Sequence, residues 1–199
     1  MAAGQRMTVV RGRLAEARLY LYYVAAVLRP GVRVPTFGEP MGFDRSLDSF
    51  KDDDLKLIIE EGRRALDRQE TDLEHIRSRA GTLLTIGLAE IAVLSALAAR
   101  SFVHGAAIAI LWCLSAIAIV LAVGGAASVL TSQARMGRFD IRQIAAHTPP
   151  LLRSSARDYL QSLGHGEETV RTRLTVIRDA VLLETLAALL LAVAWPFTL

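Results

Sequence analysis

The sequence predicts an all-α membrane protein: three transmembrane helices with long helical cytoplasmic stems forming a bundle. Three observations predict it. Mostly apolar runs at 80–99, about 103–130 and about 180–198 each approach or exceed the 20 or so residues that a helix needs to cross a bilayer. The second run lacks the polar face of a soluble helix. Elsewhere apolar residues recur at alternating steps of four and three, the spacing of helices packed side by side. No strand alternation interrupts this pattern.

Composition agrees. Of 199 residues, 52% are apolar and the mean hydropathy is +0.35, above that of an ordinary soluble domain. The net charge is +3, and Lys51 and Lys56 are the only lysines among the 23 basic residues. Richness in Arg and Ala suggests a bacterial gene. The single cysteine, Cys113, excludes an intrachain disulfide and is expected to be a small buried apolar residue. His75, His104, His147 and His165 stand alone along the chain, so neither a metal site nor a cofactor is expected. The sequence holds no GxxxxGK[ST], GxSxG or GxGxxG, and no enzyme is expected.

Five segments follow in order. Residues 1–40 combine a helix with a linker. "LYLYYVAAVL" (19–28) has the length of a signal-peptide core, but Glu16 breaks its basic flank and Arg29-Pro30 stands where cleavage would fall. Met7, Val10, Leu14, Ala17, Leu21, Val24 and Leu28 give residues 6–28 an apolar face, with Arg6, Arg13, Arg18 and Tyr20 opposite. Such a helix either lies on an anionic membrane surface or packs on the cytoplasmic part. "RPGVRVPTFGEP" (29–40) is a linker.

Residues 41–79 carry the stem helix. Ser49 is its expected N-cap, with Asp52, Asp53 and Asp54 at the positive end of the helix dipole. The cytoplasmic seam is Leu55, Ile59, Leu66, Leu73 and Ile76, with Gly62 and Gln69 between, and it runs on through Ala80, Leu83 and Gly87. With no break before the first span, one helix of about 50 residues, roughly 75 Å long, is expected. Residues 80–130 form a transmembrane hairpin. Ala118, Ala122 and Ala126 give its second span a small-residue stripe for close helix packing.

Residues 131–179 are a cytoplasmic helical insertion. A helix is expected over 131–146. A second starts at Thr148-Pro149 and stops at Gly164 and Gly166. Residues 180–199 are the third span, entered by a helix whose seam reads Val170, Leu174, Ile177, Val181, Glu184, Ala188, Leu191 and Trp195.

Arginines cluster before the first span and after the second, while the turn between them holds only Arg100 and His104. The N-terminus and the insertion are therefore expected in the cytoplasm, and the C-terminus outside a bacterial inner membrane.

The chemistry-bearing candidates are Glu90 and Glu184, the two acids of the spans. Each falls on its helix's seam. A carboxylate facing lipid is costly, so both should face protein or a path. Three readings stand: neutral struts between helices, the lining of a polar path or oligomeric pore, or a relay for protons or a cation site.

The stretch "LEHIRSRAGTLLTIGLAEIAVLSAL" (73–97) carries a resemblance, with Arg79, Gly81, Leu83, Leu84 and Gly87 as the nearest matches. Over about residues 50–199 the layout is similar to small bacterial membrane proteins of the Pycsar-effector and SLATT type. That resemblance implies an effector in nucleotide-signalled phage defence that damages the inner membrane. The expected function is an oligomeric membrane effector or pore-type protein with a cytoplasmic helical sensing domain. The alternative is a non-catalytic membrane anchor or scaffold for a protein partner. Expected partners are membrane lipid and a second copy or protein partner, without nucleic acid. A small-molecule ligand is left open.

Overall fold

A computed structural model describes residues 2–29, 47–103, 105–132 and 151–197. All regular structure among them is helical: α1 (Ala2–Ala26), α2 (Asp52–Val103), α3 (Ala106–Thr131), α4 (Leu151–Ala194) and a 3-10 turn at Trp195–Phe197. The expected linker over 30–40, most of the expected 131–146 helix and the Thr148 cap lie outside the described residues. Two compact units result. One contains 1–35, 76–133 and 174–199, the other 36–75 and 134–173.

As the unbroken periodicity expects, α2 is a single helix, of 52 residues. Its start differs from the sequence reading. Ser49 lies in a turn, and Lys51 takes the cap position. The Lys51 carbonyl accepts the first helical bond from Leu55 N–H (3.0 Å), and the Asp54 carboxylate accepts from Lys51 N–H (3.2 Å). That is the reciprocal arm of a capping box, with Asp doing the work of Glu. The fully buried positions of α2 are Leu55, Gly62, Leu73, Ile76, Ala80, Gly87, Leu94 and Ser101, all on the four-three line.

In the second unit, Leu47, Leu55 and Ala156 form a core flanked by Phe50, Ile59, Leu152 and Leu160. Gly62 lets Tyr159 come close, its Cβ 3.1 Å from where a Cβ on residue 62 would stand. Gly164 and Gly166 do not stop a helix: α4 runs through both, and both are buried. The Gln69 amide occupies the space a side chain at 166 would need, and donates to the Leu163 carbonyl (3.2 Å). Gly166 serves close packing, which outweighs its poor helix propensity.

In the first unit, α2 and α3 join at Gly105, whose φ of 113° and ψ of 164° are open essentially to glycine alone. Leu94, Ala118, Ile119 and Ala187 form the core, bringing α2, α3 and α4 together. α3 ends at Thr131, and Ser132 is extended, so the expected continuation into 131–146 is broken there. In α4 the buried line is Arg173, Ile177, Ala180, Glu184, Ala187 and Ala194, with Leu191 half-buried. Leu174, Val181, Ala188 and Trp195 of the expected seam are exposed. Ile177 to Glu184 can be bridged through 180 or 181, both apolar, and the helix turns the smaller Ala180 inward.

α1 packs on α3 through residues other than its leucine line. Leu14, Leu21 and Leu28 are exposed, while Tyr20 and Tyr23 are buried. Tyr20 seats over Gly125 of α3, and Val24 over Gly124.

α2 and α3 are each long and apolar enough to cross a membrane. Only 11% of the apolar stretch in α2 and 22% of that in α3 is buried. The core helix of a soluble protein would bury most of such a stretch. The third expected span is not among them. From Ala180 the α-helix reaches only Ala194, roughly 22 Å against about 30 Å of hydrocarbon. Extending it backward meets Arg178 and Asp179, and it contains Glu184.

The α1–α3 contact gives a direct test. Gly125→Leu should drive Tyr20 off α3 and destabilise the protein by about 1–3 kcal/mol. Gly81→Ala adds a methyl that meets nothing within 4 Å and should be neutral or stabilising by up to ~1 kcal/mol. Thermal unfolding in detergent, with hydrogen exchange over 14–28, measures both.

Candidate functional site

The site lies where α2, α3 and α4 meet in the first unit. Gly87 has no side chain, and two neighbours use the space. Glu184 Oε1 lies 3.6 Å from where a Cβ on residue 87 would stand, and Val123 Cγ2 of α3 lies 2.5 Å from it. Glu90 follows Gly87 by three residues, about one helical turn, on the same face. It comes within electrostatic reach of Glu184. Glu184 is 7% exposed and Glu90 half-buried. Among the described residues, one oxygen of each, Glu90 Oε2 and Glu184 Oε1, is buried without a hydrogen-bond partner. No group of three His, Cys, Asp or Glu side chains gathers among the described residues, so the acids act as a pair.

The surroundings are held by side-chain donors that reach helix carbonyls. Trp112 Nε1 donates to Leu94 O (2.9 Å), and Phe102 lies against its ring at 5.4 Å. The Ser115 hydroxyl donates to Ala187 O (2.9 Å), tying α3 to α4 one turn beyond Glu184. The Tyr20 hydroxyl donates to Leu121 O (2.9 Å). Other hydroxyls on the apolar helices, those of Thr82, Thr85, Ser95 and Thr185, bond back to the carbonyl four residues earlier. They need no outside partner, although all four residues are exposed.

The sequence-derived residues fall as follows. Ala118, Ala122 and Ala126 are 5%, 3% and 0% exposed and line the inner side of α3. Leu55, Leu73 and Ile76 are buried, while Ile59 and Leu66 are half-buried. Glu90 and Glu184 are brought together. Cys113, expected to be buried, is exposed, because α3 directs Ser115 and Ala118 inward and turns residue 113 away.

Several residues escaped the sequence reading. At one end of the apolar stretch Arg178 Nη2 pairs with Glu16 of α1 (3.2 Å) and with Asp179 (3.0 Å). The Asp179 hydrogen bond, then its charge, holds the Arg178 guanidinium cationic to above its ordinary range. In the second unit Arg173 is 2% and Glu168 9% exposed, neither singled out by the sequence reading. Nothing in the local pattern marks them. The Gly124-Gly125 pair was the available sign of the Tyr20 seat.

Comparison with known families, curated proteins and solved structures finds no match. The layout resemblance therefore rests on this chain's own residues, and the site is argued from its geometry.

A buried oxygen without a partner costs about 1–3 kcal/mol. Replacing Glu184 by Leu should therefore raise stability by an amount of that order, whereas Ser115→Ala, which cuts the α3–α4 tie, should lower it by about 0.5–1 kcal/mol. Thermal melts of the two variants in one detergent decide the sign of each.

Proposed function

We propose that the protein is a multi-pass membrane protein of pore or effector type, in which Glu90 and Glu184 supply the polar element of a path through the apolar layer. The observation that carries this reading is that Glu184 lies at Gly87 within electrostatic reach of Glu90, with one buried oxygen of each unpartnered among the described residues. A pair of acids serving only as struts would use those oxygens to hold helices together. The ties here are made instead by Trp112, Ser115 and Tyr20.

α4 supplies the third span of the bundle in this reading. Its exposed side is Val181, Leu182, Leu186, Leu189 and Val193, as apolar as the outer faces of α2 and α3. Its short α-helical length is met by the Trp195–Phe197 turn at the outer interface. Arginine placement supports a cytoplasmic N-terminus and a cytoplasmic insertion over 131–179 in a bacterial cell. Three helices are too few to enclose water, so conduction requires several copies of the chain. The cytoplasmic unit is then the place for a sensing contact. A second reading, a membrane anchor for a protein partner, is favoured by that unit's separate core around Leu47, Leu55 and Ala156.

Liposomes separate the two readings. Wild-type protein should release an entrapped dye or dissipate a proton gradient, and Glu90→Gln with Glu184→Gln should reduce the rate at least about tenfold. An intact gradient with wild type, with and without candidate cyclic nucleotides, selects the anchor. Membrane placement is tested apart from activity. Cys113 is exposed on α3, so in liposomes it should resist a water-soluble maleimide and react once the protein is denatured. Prompt labelling in liposomes would place α3 in water.

A further inference from the structure

A second site lies apart from the carboxyl pair. Between α2 and α4 a cleft of about 510 Å³ is lined by Arg79, Thr82, Leu83, Leu174, Ile177, Arg178, Val181 and Leu182. That volume lies within the ordinary range for ligand sites. Its two cations sit where the apolar stretches of their helices begin. Arg79 is exposed and makes no ion pair among the described residues. Arg178 faces two acids, Glu16 and Asp179, but they occupy only its Nη2 and Nε. Its Nη1 donates to nothing among the described residues. The Thr82 hydroxyl is engaged by Ser78 O (3.2 Å), so the guanidinium groups are the cleft's available donors.

The remaining walls are apolar, and Leu174, Val181 and Leu182 are 44%, 41% and 62% exposed while lining it. The cleft therefore opens sideways, onto the face where α4 carries its large apolar side chains. A fully water-soluble anion would leave those walls unused. An occupant with a phosphate at one end and a hydrocarbon chain along the other satisfies both halves.

We propose that this cleft binds one anionic phospholipid. Its phosphate lies between Arg79 and the Nη1 edge of Arg178, and one acyl chain runs along Leu83, Val181 and Leu182. Guanidinium groups suit this role because they present several donors to a phosphate and remain charged. At the cytoplasmic boundary, basic pockets between spans meet the anionic lipid headgroups of that leaflet. The proposal rests on the membrane placement above but not on the pore.

The experiment uses full-length protein stripped of lipid in a neutral detergent. Phosphatidylglycerol, phosphatidylcholine and inorganic phosphate are each titrated, with the melting temperature and intact-mass adducts as readouts. Phosphatidylglycerol should bind at one copy per chain and raise the melting temperature. Arg79→Gln should weaken it about tenfold, and Leu182→Trp, which fills the cleft with both arginines intact, should also weaken it. Arg63→Gln, an exposed arginine outside the cleft, should leave binding unchanged. Equal binding of the two lipids, equal protection by inorganic phosphate, or equal loss with Arg63→Gln would overturn the proposal. None of these readouts depends on leakage, so failure of the lipid site and failure of the pore are told apart. Cys113 labelling in liposomes reports separately on the membrane placement.

Discussion

Val123 of α3 has room against α2 only because residue 87 has no side chain. That vacancy lets α3 close on α2, and Glu184 of α4 lies in contact range of the same point. Much of the first unit follows from this contact. With Gly87 and Glu184 in register, Ala180 and Ala187 on α4 fall on the inner side, and Ala187 joins Leu94 and Ala118 in the core. Ser115 then lies within reach of the Ala187 carbonyl, fixing α3 on α4 at 2.9 Å. A side chain at 87 would separate the helices and loosen each of these contacts.

The same contact sorts side chains by size. In the apolar parts of α3 and α4 the buried line is rich in small residues, Ser115, Ala118, Ala122, Ala126, Ala180 and Ala187 beside Ile119 and Val129, while many leucines, isoleucines and valines face outward. A soluble protein arranges its helices the other way, because large apolar groups gain most by leaving water. In an apolar solvent that gain vanishes, and close backbone approach through small residues is what remains to hold helices together. The back-bonded hydroxyls of Thr82, Thr85, Ser95 and Thr185 fit the same solvent, since none needs an outside partner.

This inversion explains what was legible in the sequence and what was not. On α2 the N-terminal half alternates charge with apolar residues, so the four-three count finds the inner line, and it carries without slip to Gly87, Glu90 and Leu94. On α4 the apolar part gives no such contrast. Ala180 and Val181 serve the count equally, and a rule preferring bulk inside chooses Val181, which is exposed. On α1 the count finds an apolar line through Leu14, Leu21, Val24 and Leu28 but not what it meets: of these Val24 enters the groove at Gly124, and Tyr20, from the opposite face, enters that at Gly125. Gly164 and Gly166 read as helix stops because propensity is local, whereas the packing that overrides it involves Gln69, nearly a hundred residues away in sequence. The burial of Arg173 had no local sign at all.

One tension remains within the site, and it bears on function. The helices are already joined by Trp112, Ser115 and the alanine stripe, so the carboxyl pair is not needed for their association. Two buried oxygens without partners oppose folding by an amount comparable to any one of those ties. An apolar residue at 184 would pack between Gly87 and Val123 without that cost. Groups that break a local rule with no structural return are found where chemistry needs them. By that argument Glu90 and Glu184 work against the stability of the first unit, and in the proposed pore reading they are the residues whose removal should separate folding from activity.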